Sequence, residues 1–233
     1  MPEKEFEISL RIDKPVEIPC HKIEADVDSK KYIFSALFKI DKKSQVVPEI
    51  YDPKTGVNWE GLDDLSAEVK ALLDDKALYL WVEVKDNVVK AHATIPWDGD
   101  GIEIFLDGRK ERLGEKVYTP GVYQLFFFAP EKEEWSELRW DGTGKKKIMA
   151  KGKKVEGGYY MEIVIPWELF PELRDLIGGE VMGFDIAVDD TDGEGYRTAQ
   201  MVWHGTGKNH ADASLFGRIR LAPPPPRLKK SLW

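Results

Sequence analysis

Residues 95–108, IPWDGDGIEIFLDG, decide how this chain folds. From Gly101 to Asp107, Ile102, Ile104 and Leu106 alternate with Glu103, Phe105 and Asp107. That is the period of a strand, whose successive side chains point to opposite faces of a sheet. Just ahead of it, Trp97 stands beside Asp98 and Asp100 in a glycine-containing turn, a polar setting for a large ring. A second tryptophan in similar company, Trp203, comes late in the chain in MVWHGTGKNH. A pyranose presents an apolar C–H face and a rim of hydroxyls. Aromatic plates flanked by carboxylates and amides are matched to both.

Outward from this strand the same period recurs. Phe6, Ile8, Leu10 and Ile12 alternate with Glu5, Glu7, Ser9 and Arg11, which predicts a strand over residues 5–19 with one wet face. Residues 32–40 and 46–51 read as further strands. Residues 67–73 and 77–85 read as a hairpin turning at Asp74-Asp75-Lys76. By propensity alone, residues 65–73 also suit a short helix, and the tight turn into a clear β run decides for the hairpin. GVYQLFFFA (121–129) is a continuous apolar run, which predicts burial on both faces. Residues 131–144 form a polar loop with Trp135 and Trp140, and the next strand opens at Lys145–Lys147. Gly157-Gly158 turns into the alternating YYMEIVIPW. Residues 167–177 read as one short helix, limited by Pro171, and strands follow over 181–189, 198–203 and 215–221. Many short strands and almost no helix predict an all-β fold, an antiparallel β-sandwich of immunoglobulin-like or jelly-roll type with one short helix. The module spans residues 1–222, with 1–24 as N-terminal arm and strand. Residues 223–233 read as a Pro-rich linker and basic tail, because consecutive prolines lack ladder donors.

A chain of 233 residues with 42% hydrophobic and 11% aromatic content can bury a sizeable core. A net charge of −8 argues against nucleic acid as the main partner, since phosphate neutralisation needs clustered Lys and Arg. The single cysteine, Cys20, excludes an intramolecular disulfide and a cysteine-based zinc site. No stretch approaches the roughly 18 apolar residues of a membrane span. The start, MPEKEFEISL, lacks a basic segment followed by an apolar one, so it reads without a signal peptide. The acidic turn DDTDGEG, with Asp190 and Asp192, is the oxygen-rich kind of loop that hard cations prefer. It reads equally as a solvated turn shaped by Asp and Gly. Asp98, Asp100 and Glu103 could in principle act as glycosidase carboxyls, but acidic loops are commonly just solvated. No Gly-x-Ser-x-Gly elbow, HExxH or phosphate-binding loop is present. The expectation is therefore a protein that is not an enzyme.

An ordered series of segments carries a resemblance to family 9 carbohydrate-binding modules. They are NWEGLDDLSAEVKALLDDKALYLWVEVKD, PWDGDGIEIFLDG, YQLFFF, GGYYMEIVIPW, MGFDIAVDDTDG, MVWHG and LFGRIRL, together covering residues from about 25 to 221. The resemblance implies a β-sandwich that holds the reducing end of a sugar between two tryptophans, here Trp97 and Trp203, with Glu103 bonding a hydroxyl. The best-studied members carry, in the strand corresponding to YQLFFF, an arginine that contacts sugar hydroxyls; in this chain only Gln124 is polar there, beside Leu125 and Phe126. Gln124, Asn209 and His204 complete the expected ligand set. His204 also reads as a plain surface histidine. Structural calcium is common in the family, which implies a role for the DDTDGEG turn, and a second grouping of Glu24, Asp26, Asp28 and Asp212. The partner implied is a mono- or oligosaccharide, within a longer chain that carries other domains, at an extracellular or cell-surface location.

Other readings stay beside this one. Each tryptophan also reads as a cap on the core edge, and Trp59, Trp135 and Trp140 as a displaced platform. Trp81 and Trp167 read as packing residues. Related sandwiches hold a b-type haem, for which Met182, Met201 and His204 are the candidates, although alternation places both methionines in the core. A structural β module of a larger glycoside hydrolase, without a ligand, is a third reading.

Overall fold

A computed structural model describes residues 16–18, 36–91, 95–138, 140–141, 148–176, 179–192 and 195–221. Most of the N-terminal strand expected over 5–19, Cys20, Glu24, Asp26, Asp28 and the 223–233 tail lie outside these residues. The strands in chain order are β1 (Val16–Ile18), β2 (Ala36–Ile40), β3 (Leu65–Leu73), β4 (Ala77–Asp86), β5 (Gly101–Asp107), β6 (Val122–Phe128) and β7 (Ser136–Glu137). They continue with β8 (Trp140–Asp141), β9 (Met149–Val155), β10 (Gly158–Pro166), β11 (Val181–Asp190), β12 (Ala199–Val202) and β13 (Gly217–Leu221). Sheet A has the order β1-β13-β11-β5-β6-β8, with β12 also pairing β11, and sheet B the order β2-β3-β4-β10-β9-β7. Every pairing is antiparallel except β1 with β13. This is the sandwich that the alternation predicts.

Alternation decides the faces. From sheet A, Ile102, Ile104, Leu106, Phe184, Ile186 and Val188 point inward. They meet Val69, Leu80, Val82, Tyr159, Met161 and Ile163 of sheet B in one buried cluster. The opposite residues of β5, Glu103, Phe105 and Asp107, lie on the outer face of sheet A and are buried there as well. A second apolar cluster covers part of that face: Phe105, Val122, Ala187 and Val202 pack under Val47, Ala213 and Phe216 from two loops. Sheet A is therefore apolar on both sides at one end; in β6 the burial expected on both faces holds from Leu125 to Phe128 and fails at Gln124, which is exposed.

Local chemistry explains the turns. In the β3–β4 hairpin the buried Asp74 carboxylate accepts the N–H groups of Lys76 (2.8 Å) and Ala77 (2.9 Å), and its backbone carbonyl accepts the Trp167 indole N–H (2.9 Å). These bonds hold residues 65–73 as a strand against their helical propensity. The β9–β10 hairpin turns on Gly157 at φ 72°, which an L side chain adopts at a cost. At Gly158, φ is 145° and a Cβ would sit 2.0 Å from the Val84 carbonyl oxygen, so only glycine fits.

Three expectations change in detail. The single helix expected over 167–177 is a 3-10 turn (Trp167–Leu169) followed by α1 (Pro171–Arg174). Phe170 between them takes φ −133°, as the clash of a following proline ring requires. Residues 46–51 contribute an isolated bridge from Val46 to Met201 rather than a strand. The polar loop 131–144 contains the short strands β7 and β8, which pair with β9 and β6.

Candidate functional site

The outer face of sheet A also gathers polar side chains next to the second apolar cluster, under the turn between β11 and β12. Glu103 on β5 is flanked across the ladder by Ala187 of β11 and Phe126 of β6. Its Oε2 accepts the Gln124 amide (2.5 Å), and its Oε1 accepts Nη1 of Arg197 (3.0 Å) and Nε2 of Gln200 (3.0 Å). Oδ1 of Asp189 accepts the same two donors at 2.5 and 2.8 Å. Glu103, Asp189 and Gln200 are buried, whereas Gln124 is exposed and the Arg197 side chain keeps 18% of its surface. Oδ2 of Asp189 and Oε1 of Gln200 are buried with no partner, which leaves acceptor capacity inside the network. Burial pushes the Asp189 carboxyl well above its ordinary range while Arg197 pulls it back. For Arg197 burial opposes the charge, yet Asp189 and Glu103 outweigh it and raise the guanidinium.

Arg197 and Gln200 are not sequence candidates, and Asp189 enters there only as the first residue of the DDTDGEG turn, for a cation rather than a sugar. Gln200 and Asp189 alternate with inward residues, a signal that places them on the outer face. No local pattern marks Arg197, which lies in the turn between β11 and β12. It delivers a guanidinium to the same carboxylate that Gln124 contacts from the neighbouring strand.

The two expected stacking tryptophans stand in different environments. Trp97, in the 3-10 turn at the entrance to β5, is 49% exposed. Trp203 is partly buried and packs against the inter-sheet core, edge-on to Phe38 (centroids 4.8 Å apart) and 6.1 Å from Phe184. The other expected residues near Trp203 serve the loop. Asn209 is buried, donates to Asp185 (3.1 Å) and accepts the Thr206 N–H (3.1 Å). Asp185 is fully buried and also accepts the N–H groups of Ile186, His204 and Gly205. Burial pushes its carboxyl up to about 6 against those bonds. Gly205 is required there, since a Cβ would lie 2.2 Å from Oδ1 of Asn209 and 2.7 Å from Oδ2 of Asp185. His204 is exposed and its ring meets the Leu215 carbonyl at 3.4 Å. Met182 and Met201 are fully buried within the inter-sheet core. Trp59 bonds the Leu65 carbonyl at 2.8 Å and packs on the core, and Trp167 is fully buried.

A second group of acids closes one end of the sandwich. Asp86 ends β4 of sheet B, Asp100 immediately precedes β5 of sheet A, and Asp190 ends β11. One carboxylate oxygen from each lies within 4.8 Å of the others. All three are buried, and Asp64, Asp190 and Asp192 form an adjoining set that meets the same distance. Asp100 accepts the N–H groups of Lys90 and Thr191, and Oδ1 of Asp86 accepts that of Val88 (2.7 Å). Oδ2 of Asp86 and Oδ1 of Asp190 have no partner. Burial pushes Asp86 up to about 6, Asp190 to about 9 and Asp100 to about 10; the Asp86 charge adds to the last two, and Asp192 and Asp64 add to Asp86. An all-oxygen set with orphaned, repelling carboxylates fits a hard divalent cation. Asp190 and Asp192 of the DDTDGEG turn thus meet acids from distant strands. Asp212 does not join either group. It caps the 3-10 turn Ala213–Leu215 through the Ser214 N–H (3.1 Å) and pairs with Lys116 at 3.4 Å.

A sandwich that carries an exposed tryptophan on the turn into β5 and a carboxylate, amide and guanidinium network around Glu103 of that strand has the makeup of a β-sandwich carbohydrate-binding module. Comparison with known proteins agrees. Residues 42–223 match the model of the family described as "Carbohydrate family 9 binding domain-like". The chain belongs to that family. Exoglucanase XynX of Acetivibrio thermocellus is 29% identical over 196 residues, which are 83% of this chain and 17% of that protein. Endo-1,4-beta-xylanase A of Thermotoga maritima is 30% identical over 159 residues, 67% of this chain and 14% of that protein. The chain thus spans about one-sixth of the length of these curated relatives. A family 9 module from Caldicellulosiruptor kristjanssonii in complex with cellotriose superposes with a TM-score of 0.65 at 23% identity, covering 94% of this chain and 99% of that one. The module in complex with glucose gives 0.63 at 24% identity, with coverage of 93% and 100%. At those identities the likeness is one of fold. Among the described residues no helix is long and apolar enough to cross a membrane.

Proposed function

We propose that this chain is a non-catalytic module that holds the end of a neutral gluco- or xylo-saccharide on the outer face of sheet A. The observation that carries the reading is the network that Arg197, Gln124 and Gln200 build around Glu103, which stands on the strand that Trp97 introduces. The Trp97 ring takes the apolar face of the sugar. Glu103 accepts a hydroxyl proton, and Arg197 and Gln124 donate to hydroxyl oxygens. Bonds that involve a charged partner are the stronger ones. Arg197 supplies from the β11–β12 turn the cationic donor that Gln124 lacks. Trp203 as the second wall of a sandwich is the sharper form of this reading. The acids at the sandwich end hold a structural calcium ion through Asp86, Asp100 and Asp190, with Asp64 and Asp192 beside them. Asp100 lies three residues from Trp97, and Asp190 and Asp192 lie in the turn that carries Arg197. The ion therefore steadies both arms of the sugar site.

Calorimetric titration with glucose, cellobiose, xylose and xylobiose tests the proposal. Binding of a disaccharide that Trp97→Ala abolishes and that releases no reducing sugar supports it, and no binding at millimolar ligand sinks it. Trp203→Phe, which keeps a ring against Phe38, separates the sandwich from the single plate: only the sandwich loses affinity. The relatives are named as polysaccharide-degrading enzymes, which supports a place beside such domains in a longer extracellular chain. Detection of the native protein in culture supernatant checks this.

A further inference from the structure

We propose that the outer face of sheet B is a second saccharide surface, which holds the interior of a single neutral β-1,4-linked chain along Trp135, Trp81 and Tyr160. The proposal takes its ligand class from the carbohydrate reading above and uses none of the residues of the sheet A site.

Trp81 on β4 and Tyr160 on β10 point outward because their neighbours Leu80, Val82, Tyr159 and Met161 fill the inter-sheet core. Trp135 stands immediately before β7 and is 40% exposed. The Trp81 ring lies 5.7 Å from that of Trp135 and 5.8 Å from that of Tyr160, so the three form one strip with Trp81 at its centre. The solvent face of an antiparallel sheet is ordinarily polar, and a row of aromatic rings left half in water marks a contact surface. Past Tyr160 a groove of ≈ 440 Å³ continues, lined by Asp63, Glu83, Asn87 and Glu156 among others.

The charges around the strip select the partner. Lys39 and Lys70 pair with Glu68 at 3.7 and 3.2 Å, and Lys151 pairs with Glu162 at 2.7 Å. The Nζ atoms of Lys151 and Lys153 stand 5.3 and 5.7 Å from the Trp135 ring, and Lys153 stands 5.7 Å from that of Tyr160. Three of these four lysines pair with Glu68 or Glu162, and Asp63, Glu83 and Glu156 line the adjoining groove, so the face carries both signs interspersed. That suits a neutral polymer rather than a polyanion, which needs clustered cations. Paired charges also offer donors and acceptors side by side, as a row of hydroxyls requires. The rings of Trp135 and Tyr160 are tilted by 52° and 33° from that of Trp81, so the three do not lie in one plane. A flat crystalline surface would touch one ring at a time, whereas a single twisted chain turns successive sugar faces toward each ring.

The test uses the whole chain and its Trp97→Ala variant, with xylohexaose, cellohexaose and soluble xylan as probes in calorimetry and affinity electrophoresis. The expected result is that Trp97→Ala loses the disaccharides and keeps the hexasaccharides and the polymer. Adding Trp135→Ala, or separately Tyr160→Ala, then weakens hexasaccharide and polymer binding about tenfold with the melting temperature unchanged. Unaltered polymer affinity in both double variants overturns the proposal, as does loss of all binding in Trp97→Ala alone. If Trp97→Ala keeps its disaccharides while the Trp135 and Tyr160 variants lose the polymer, the sheet A reading fails and this one stands.

Discussion

Chelation should lower the melting temperature of this protein, and the acid cluster sets the size of the effect. Burial and like charges hold Asp86 up to about 6, so keeping it charged at pH 7 costs ~3 kcal/mol relative to the unfolded chain. A calcium ion held by the side chain's orphaned oxygen would remove this penalty. A similar figure follows from mass action, where free calcium at a hundredfold excess over Kd stabilises by ~2.7 kcal/mol. For a chain of this size each kcal/mol moves Tm by a few degrees, so EDTA should lower Tm by roughly 5–10 °C at pH 7. Without the ion, carboxylates with raised pKa values bind protons more tightly in the folded state than in the unfolded chain. Their contribution is fully present below about pH 4 and is lost as pH rises toward their folded values. The gap between calcium-loaded and chelated protein should therefore widen from pH 5 to pH 8. Scanning calorimetry at those two pH values, with calcium and with EDTA, measures it. Asp86→Asn sharpens the test because Oδ1 can still accept the Val88 N–H while the repulsion falls. If no ion binds, that variant is as stable as the parent or more so, and EDTA changes neither protein. That outcome would refute the cation site. If an ion binds, the variant melts lower in calcium and loses its sensitivity to EDTA.

Three further outcomes follow from particular contacts. Arg197→Gln leaves Glu103 and Asp189 buried without their cation, which should cost about 3 kcal/mol by urea unfolding. Adding Asp189→Asn should recover part of that loss, and equal stability of parent and single variant would contradict the network. Asp185, held up to about 6 by burial, favours the folded state most below about pH 4 and loses that contribution as pH rises to about 6. An NMR titration of its carboxyl carbon should show a midpoint near 6, and a midpoint at or below 4 would mean that the carboxylate is solvated. Gly158→Ala forces a Cβ against the Val84 carbonyl at a positive φ and should destabilise by ~2 kcal/mol or more. Unchanged stability there would mean that the hairpin relaxes.

The sequence by itself determined the sheets. Alternation in IEIFLD and YYMEIVIP and the turns at Asp74 and Gly157-Gly158 are local properties, because a strand's period and a turn's dihedrals are set by neighbouring residues. Ile102, Ile104 and Leu106 lie in the core as their spacing predicts, and the fully buried Met182 and Met201 follow the same rule. Local order also marked the acidic turn at Asp190 and Asp192, but could not tell a solvated loop from a ligand set. Only the tertiary structure decided that Asp190 meets Asp86 and Asp100, since those acids arrive from different sheets. It also decided that Arg197 reaches Glu103, 94 residues away, and that the Trp97 and Trp203 rings face different surroundings. Trp81 follows the same logic: its alternation is local, but its place beside Trp135 and Tyr160 depends on which strands pair. Contacts between segments far apart in the chain are fixed by strand order and register, and a local pattern holds no record of either.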